Sequence, residues 1–101
     1  MDNKQPNILV VFSDQQRADT IGFEVNGNKV CPNLEHLSEE GVKFENAFTV
    51  QPVCGPARAC IQTGIYASEN GVFKNGIGLD AQPQNKNNTL AWWLRNVGYE
   101  V

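Results

Sequence analysis

An α/β layer architecture, with a mostly parallel sheet flanked by helices, is what the order of segments in these 101 residues predicts. Three observations carry it. The run "NILVVF" at residues 7–12 is apolar, β-branched and aromatic without polar alternation, the pattern of a strand buried on both faces. Two later stretches, 32–41 and 57–63, combine helical spacing with end signals. Along the chain the segments then follow the order strand, helix, strand, helix, helix, strand.

Each element has its own reasons. Pro6 precedes the first strand, and polar residues arrive abruptly after it in "SDQQRAD", 13–19. That places Asp14 at the carboxyl end of a predicted central strand, where open α/β sheets build their sites. "GFEVNGNKVCPN", 22–33, is rich in Gly and Asn and reads as loop. "PNLEHLSEEG", 32–41, reads as a short helix with Asn33 as N-cap, Leu34 and Leu37 on one face and Gly41 as the stop. "VKFENAF", 42–48, alternates through Val42, Phe44 and Asn46 as a second strand does.

Pro52 and Pro56 then interrupt regular structure, and 57–63 is predicted helical. Pro56 suits its first turn, where a missing N–H costs nothing, and Cys54 lies at the helix mouth. From 64 to 88 the chain carries Gly71, Gly76, Gly78, Pro83 and five asparagines without a sustained period, so it reads as a long irregular excursion, a feature usually tied to function. "NTLAWWLRNVGYEV" predicts a last helix capped by Asn88 or Thr89, with Leu90, Trp93, Leu94 and Val97 on one face. It stops at Gly98, and a strand begins at Tyr99.

Composition narrows the function classes. Apolar content of 41% with 19% charged residues is that of a globular chain, and 101 residues leave room for one compact domain rather than two ordinary ones. A net charge of -3 without any Lys/Arg cluster argues against nucleic-acid and anionic-membrane partners. Cys31, Cys54 and Cys60 are odd in number and form no C-x-x-C pair, so reduced thiols are expected rather than disulfides or a zinc site. The short apolar run near the N-terminus lacks a small-residue cleavage site, so it is read as neither signal peptide nor membrane span. A cytoplasmic location follows as an expectation; a periplasmic or secreted chain already relieved of its leader would read the same.

The chemistry concentrates in "VQPVCGPARACIQTG", residues 50–64. A thiol at a helix N-terminus, with a guanidinium four residues on, meets both the positive end of the helix dipole and a fixed cation. Cys54 is thereby a candidate reactive group. Asp14 with the Gln15 carbonyl oxygen offers hard ligands for a divalent cation, Arg58 a planar fork for sulfate or phosphate, and the backbone N–H groups at the helix mouth further anion affinity. Plainer readings stand beside these. Asp14 also fits a turn or helix cap, Cys54 a small buried hydrophobe, Arg58 a surface cation, and His36 a surface residue of the first helix. Cys54 and Cys60, six residues apart, are poorly placed for a redox pair.

"CGPAR" followed by "ACIQTG" resembles the sulfatase signature C-x-P-x-R with its trailing T-G, through Cys54, Pro56, Arg58, Thr63 and Gly64. The flanks agree. "PNILVVFSDQQ" is similar to the first strand of sulfatases and its metal-binding end, "CPNLEHLSEEGVKFENAF" to the helix and strand before the signature, and "TLAWWLRNVGYEV" to the helix and strand after it.

The resemblance implies an alkaline-phosphatase-like fold, incomplete in this chain, with residues 1–101 forming the N-terminal part of a sulfatase catalytic domain. It implies hydrolysis of a sulfate ester. Cys54 would be converted by a maturation enzyme to formylglycine and would also ligate the metal, most simply calcium, together with Asp14 and Gln15. Arg58 would stabilise residue 54 and its charged adduct. The hydrated aldehyde offers one hydroxyl to attack sulfur and a second to expel sulfate, an exit that a serine or thiol lacks.

Two departures stand out. Gln15 occupies the place of a second aspartate, and "YASENGV" lacks the histidine of a Y-P-H-x-x-G-V-like segment. The family's later lysine, histidine and acidic ligands have no counterpart here. These 101 residues alone are therefore expected to lack turnover, and a robust metal-dependent rate on an aryl sulfate would contradict that. A phosphate or phosphonate ester hydrolase of the same superfamily, and a non-catalytic anion-binding module, are the rival readings.

Overall fold

A computed structural model describes residues 5–101. The chain divides into two compact units, the first ending at Lys43 and the second spanning Phe44–Val101.

In the first unit, residues 7–12 correct the sequence reading: they form no strand, and every side chain from Ile8 to Phe12 is more than half exposed. The physical reason is that a strand is a paired object. β-Branched residues favour it chiefly by packing on neighbouring strands, and among the described residues the one ladder lies elsewhere. That ladder is an antiparallel hairpin, β1 (Glu24–Val25) and β2 (Asn28–Lys29), in a stretch read as loop. Its turn is Asn26-Gly27, with φ of +51° and +76°. Two successive residues with positive φ match a type I′ turn, which Asn-Gly favours because Asn tolerates the left-handed region and Gly occupies it freely.

Helix α1 (Pro32–Glu40) occupies the predicted span, with two corrections. Its N-cap is Cys31 rather than Asn33, because Pro32 takes the first helical position, where its missing N–H is no loss. Its buried residue is Glu35, while Leu34 and Leu37 are exposed. Glu35 is anchored at two points: it accepts from the Gly22 N–H at 2.9 Å and pairs with Lys29 Nζ at 2.6 Å. A polar clasp thus ties the hairpin to α1.

The Lys29 ammonium, helped by the Gly22 N–H, holds the Glu35 carboxyl below its ordinary value, and Glu35 raises Lys29 in return. A depressed carboxyl contributes stability fully above its ordinary pKa of 4.5 and loses it as pH falls through the lower folded value. Protection of the Gly22 amide against hydrogen exchange is therefore expected to fall as pH drops below the ordinary glutamate range. Glu35→Gln should abolish that dependence, and a variant that keeps it would show another group to be responsible.

In the second unit, α2 (Cys54–Thr63) begins three residues earlier than predicted and buries Pro56, Ala59, Cys60 and Thr63. Their spacing of three, four and seven residues is one face of a helix. These small side chains let α2 pack closely on α3 (Ala67–Asn70). Gly64 ends α2 in the left-handed region, φ +70°, and returns its N–H to the Cys60 carbonyl at 2.8 Å. Residues 42–48 and 99–101 form no strand, for the reason that applies to 7–12.

The stretch 64–88 is more ordered than predicted. It holds α3 and a 3-10 turn at Pro83–Asn85, and its asparagines are the fasteners. Asn70, fully buried, donates to the Ile65 carbonyl at 3.1 Å and accepts from the Val72 N–H at 2.9 Å. Asn85 donates to the Asn70 carbonyl at 2.8 Å and the Leu79 carbonyl at 3.2 Å. Asn88 reaches the Thr63 carbonyl at 3.4 Å and accepts from the Trp93 indole at 3.1 Å. Side-chain amides thus replace the backbone ladder that the loop lacks.

Helix α4 (Leu90–Asn96) takes Thr89 as its cap, whose Oγ1 accepts from the Trp92 N–H at 3.1 Å. Of the apolar face predicted for this helix, Leu90, Trp93 and Val97 are exposed. Trp92 meets Trp93 edge to face, ring centroids 4.8 Å apart.

Candidate functional site

Cys54 is the first residue of α2 and is exposed. It escapes burial because the buried face of the helix runs through positions 56, 59, 60 and 63, leaving Cys54 and Arg58 on the other side. One helical turn separates them, so both side chains rise from the same exposed face. The small-buried-hydrophobe reading therefore belongs to Cys60, which is buried, and not to Cys54. A Cys54–Cys60 disulfide is ruled out within an intact helix: six residues rise about 9 Å, beyond bridging distance.

The backbone at the helix mouth departs from expectation. Gly55 N–H donates to Asn75 Oδ1 at 2.9 Å, Pro56 has no N–H, and Ala57 N–H is taken by the Val53 carbonyl at 2.9 Å. Of the first four positions, three thus offer an anion no amide. The exposed Arg58 guanidinium on the same face presents a planar fork of N–H donors.

Asn75 is the residue that sequence reading passes over. Its Oδ1 also accepts from Cys54 Sγ at 3.3 Å, so one carbonyl oxygen joins the first two residues of α2. Asn75-Gly76 is a turn dipeptide, and Gly76 turns the chain with φ +87°. That signal announces a turn without saying what it faces.

Asp14 and Gln15 belong to the first unit and Cys54 and Arg58 to the second. Asp14 and Gln15 sit at an exposed bend that follows the apolar run, and Gln15 has φ +47°. A left-handed non-glycine residue is uncommon, and such conformations cluster at functional sites. The Asp14 carboxylate and Gln15 carbonyl are hard oxygens, the donor type that calcium takes, although it takes six to eight. Among the described residues no group of three or more His, Cys, Asp or Glu side chains is gathered to hold a metal. His36 is exposed on α1, within 3.9 Å of Glu39 and 3.8 Å of Glu40, as its surface reading expects. No described helix is long and apolar enough to cross a membrane.

A C-x-P-x-R segment thus opens α2 and sets its cysteine and arginine on one exposed face. The chain belongs to the sulfatase family, whose model, described as Sulfatase, matches residues 6–101. It is 34% identical over 98 residues to the uncharacterized sulfatase YidJ of Escherichia coli (strain K12), covering 97% of this chain and 19% of that protein. Against the arylsulfatase of Clostridium perfringens (strain 13 / Type A) the identity is 37% over 101 residues, 96% of this chain and 20% of that one. The multifunctional alkaline phosphatase superfamily protein PehA of Trinickia caryophylli is 36% identical over 99 residues, 93% of this chain and 18% of its own. The chain thus spans about a fifth of the length of these curated relatives. No solved structure matches it.

Proposed function

We propose that this chain supplies the nucleophile-bearing segment of a sulfuric ester hydrolase with an alkaline-phosphatase-like fold. One observation carries the reading. Cys54 stands exposed at the start of a ten-residue helix, one turn from Arg58, inside the family's C-x-P-x-R signature.

In this reading Cys54 is the site of formylglycine, installed by a maturation enzyme, and its hydrated aldehyde supplies a nucleophilic oxygen that a thiol does not. Asp14 and Gln15 are the residues of this chain that would contribute oxygen ligands to a calcium ion, which when bound would supply Lewis-acid polarisation. Arg58 binds the anionic ester beside residue 54 through the planar fork of its guanidinium. Its fork also fixes the orientation of a tetrahedral oxyanion, which a lysine in its place would not. The buried face of α2 holds this pair in place, since Pro56, Ala59, Cys60 and Thr63 are locked against the rest of the unit.

The first test is the mass of the tryptic peptide 44–58 from protein made in its own organism. An aldehyde or its hydrate at residue 54 is the expected result; unmodified cysteine alone would leave a family resemblance without the family's chemistry. A phosphate or phosphonate monoester is the second reading, favoured by the similarity to a multifunctional superfamily protein. Comparing kcat/KM for an aryl sulfate and an aryl phosphonate decides between them.

A further inference from the structure

We infer that Asn75 is a positioning residue for position 54: its carbonyl oxygen clamps the side chain of residue 54 to the first turn of α2 in a single orientation. The inference rests on the hydrolase reading only for its effect on rate, since the clamp itself is a matter of geometry.

The orientation of the amide follows from chemistry. The Gly55 N–H can only donate, so the Asn75 atom 2.9 Å from it must be the oxygen. The group on residue 54 then faces an acceptor, 3.3 Å from Sγ, and must itself donate. An oxygen shared in this way, held by a backbone amide that cannot rotate, leaves residue 54 one favoured rotamer for its donor. Any hydroxyl at this position would be held by the same rule, with its proton directed at Asn75 and its lone pairs turned elsewhere.

Two further features build the clamp. A Cβ added to Gly55 would lie 2.6 Å from Asn75 Oδ1, so glycine here makes room for the amide to reach the helix. The turn carrying Asn75 is tethered to the core three residues earlier by Val72, buried and bonded through its N–H to Asn70. An exposed side chain is thereby supported by a buried one.

The test uses the whole protein in which this chain occurs, with Asn75→Ala, Asn75→Asp, Gly55→Ala and the Gly55→Ala/Asn75→Ala double variant. The modified fraction at residue 54 is measured by mass, and rates are normalised to it. Asn75→Ala is expected to lower kcat about 10- to 100-fold with KM within about 2-fold, the size of effect that misplacing a reacting group produces. Gly55→Ala should reproduce the loss, and the double variant should lose no more than either single, because both break one contact. Asn75→Asp keeps the acceptor and should keep most of kcat, with KM raised by its charge. An Asp variant as slow as the Ala variant, or an unchanged kcat in Asn75→Ala, overturns the inference.

A wild type that hydrolyses no sulfate or phosphonate ester would sink the hydrolase reading, and the clamp is then judged by structure alone. Asn75→Ala should speed exchange of the Gly55 amide and release Cys54 from a single χ1 rotamer to averaging, read from three-bond couplings. No change in either observable overturns the clamp.

Discussion

Cys54→Ala in the whole protein is expected to lower sulfate ester hydrolysis at least about 10³-fold, the scale on which removing an enzyme's nucleophile acts. The fold should not change with it. Cys54 is exposed, lies at the end of a helix whose buried residues are elsewhere, and loses on substitution only a neutral surface hydrogen bond to Asn75. The two readouts therefore separate: kcat collapses while thermal unfolding and far-UV circular dichroism stay within error. A variant that retains a substantial rate would place the nucleophile elsewhere and reduce the C-x-P-x-R segment to a structural turn.

Asn70→Ala makes the opposite prediction, a large loss of stability from a residue with no part in the chemistry. Asn70 is fully buried between α2 and the loop that follows α3, and its amide serves the Ile65 carbonyl and the Val72 N–H. Alanine leaves the Val72 N–H buried and unpaired, at about 1–3 kcal/mol, and strips the part-buried Ile65 carbonyl of its donor, so local stability should fall by about 2–4 kcal/mol. Hydrogen exchange at the Val72 amide reads this directly, since that amide loses its acceptor. Because Val72 tethers the Asn75 turn, some of the loss should also reach the helix mouth. Undiminished protection at Val72 would mean that the loop is held by other contacts.

The contrast between these two residues reflects how the second unit is built. A helix with small residues on its inward face packs tightly and leaves Cys54 and Arg58 exposed on its outward face. The following loop lacks a ladder of its own, and asparagine amides at 70, 85 and 88 tie it back. Polar clasps of this kind are exacting: satisfied, they fix one arrangement, and with one member removed they leave buried groups without partners.

What the sequence determined alone were the features that short spacing encodes. Helix α1, helix α4 with its cap and Gly98 stop, and helix α2 with Cys54 at its mouth all follow from periodicity and end signals acting within a few residues. The Asn26-Gly27 hairpin lies in a stretch read as loop, although that dipeptide favours its own turn. Family membership was legible as well, because C-x-P-x-R concentrates rare residue types at fixed spacing.

The tertiary structure decided what depends on partners far along the chain. Residues 7–12 carry every local preference for a strand and form none, because strand pairing needs a neighbour that no described segment provides. Glu35 is buried in place of Leu34 and Leu37 because Lys29 of the hairpin and the Gly22 amide ahead of it meet it there. Asn75 reaches Cys54 across 21 residues of sequence, and no spacing rule links them. Local patterns select local conformations; which of the exposed groups meet is set by packing, and packing is written only in three dimensions.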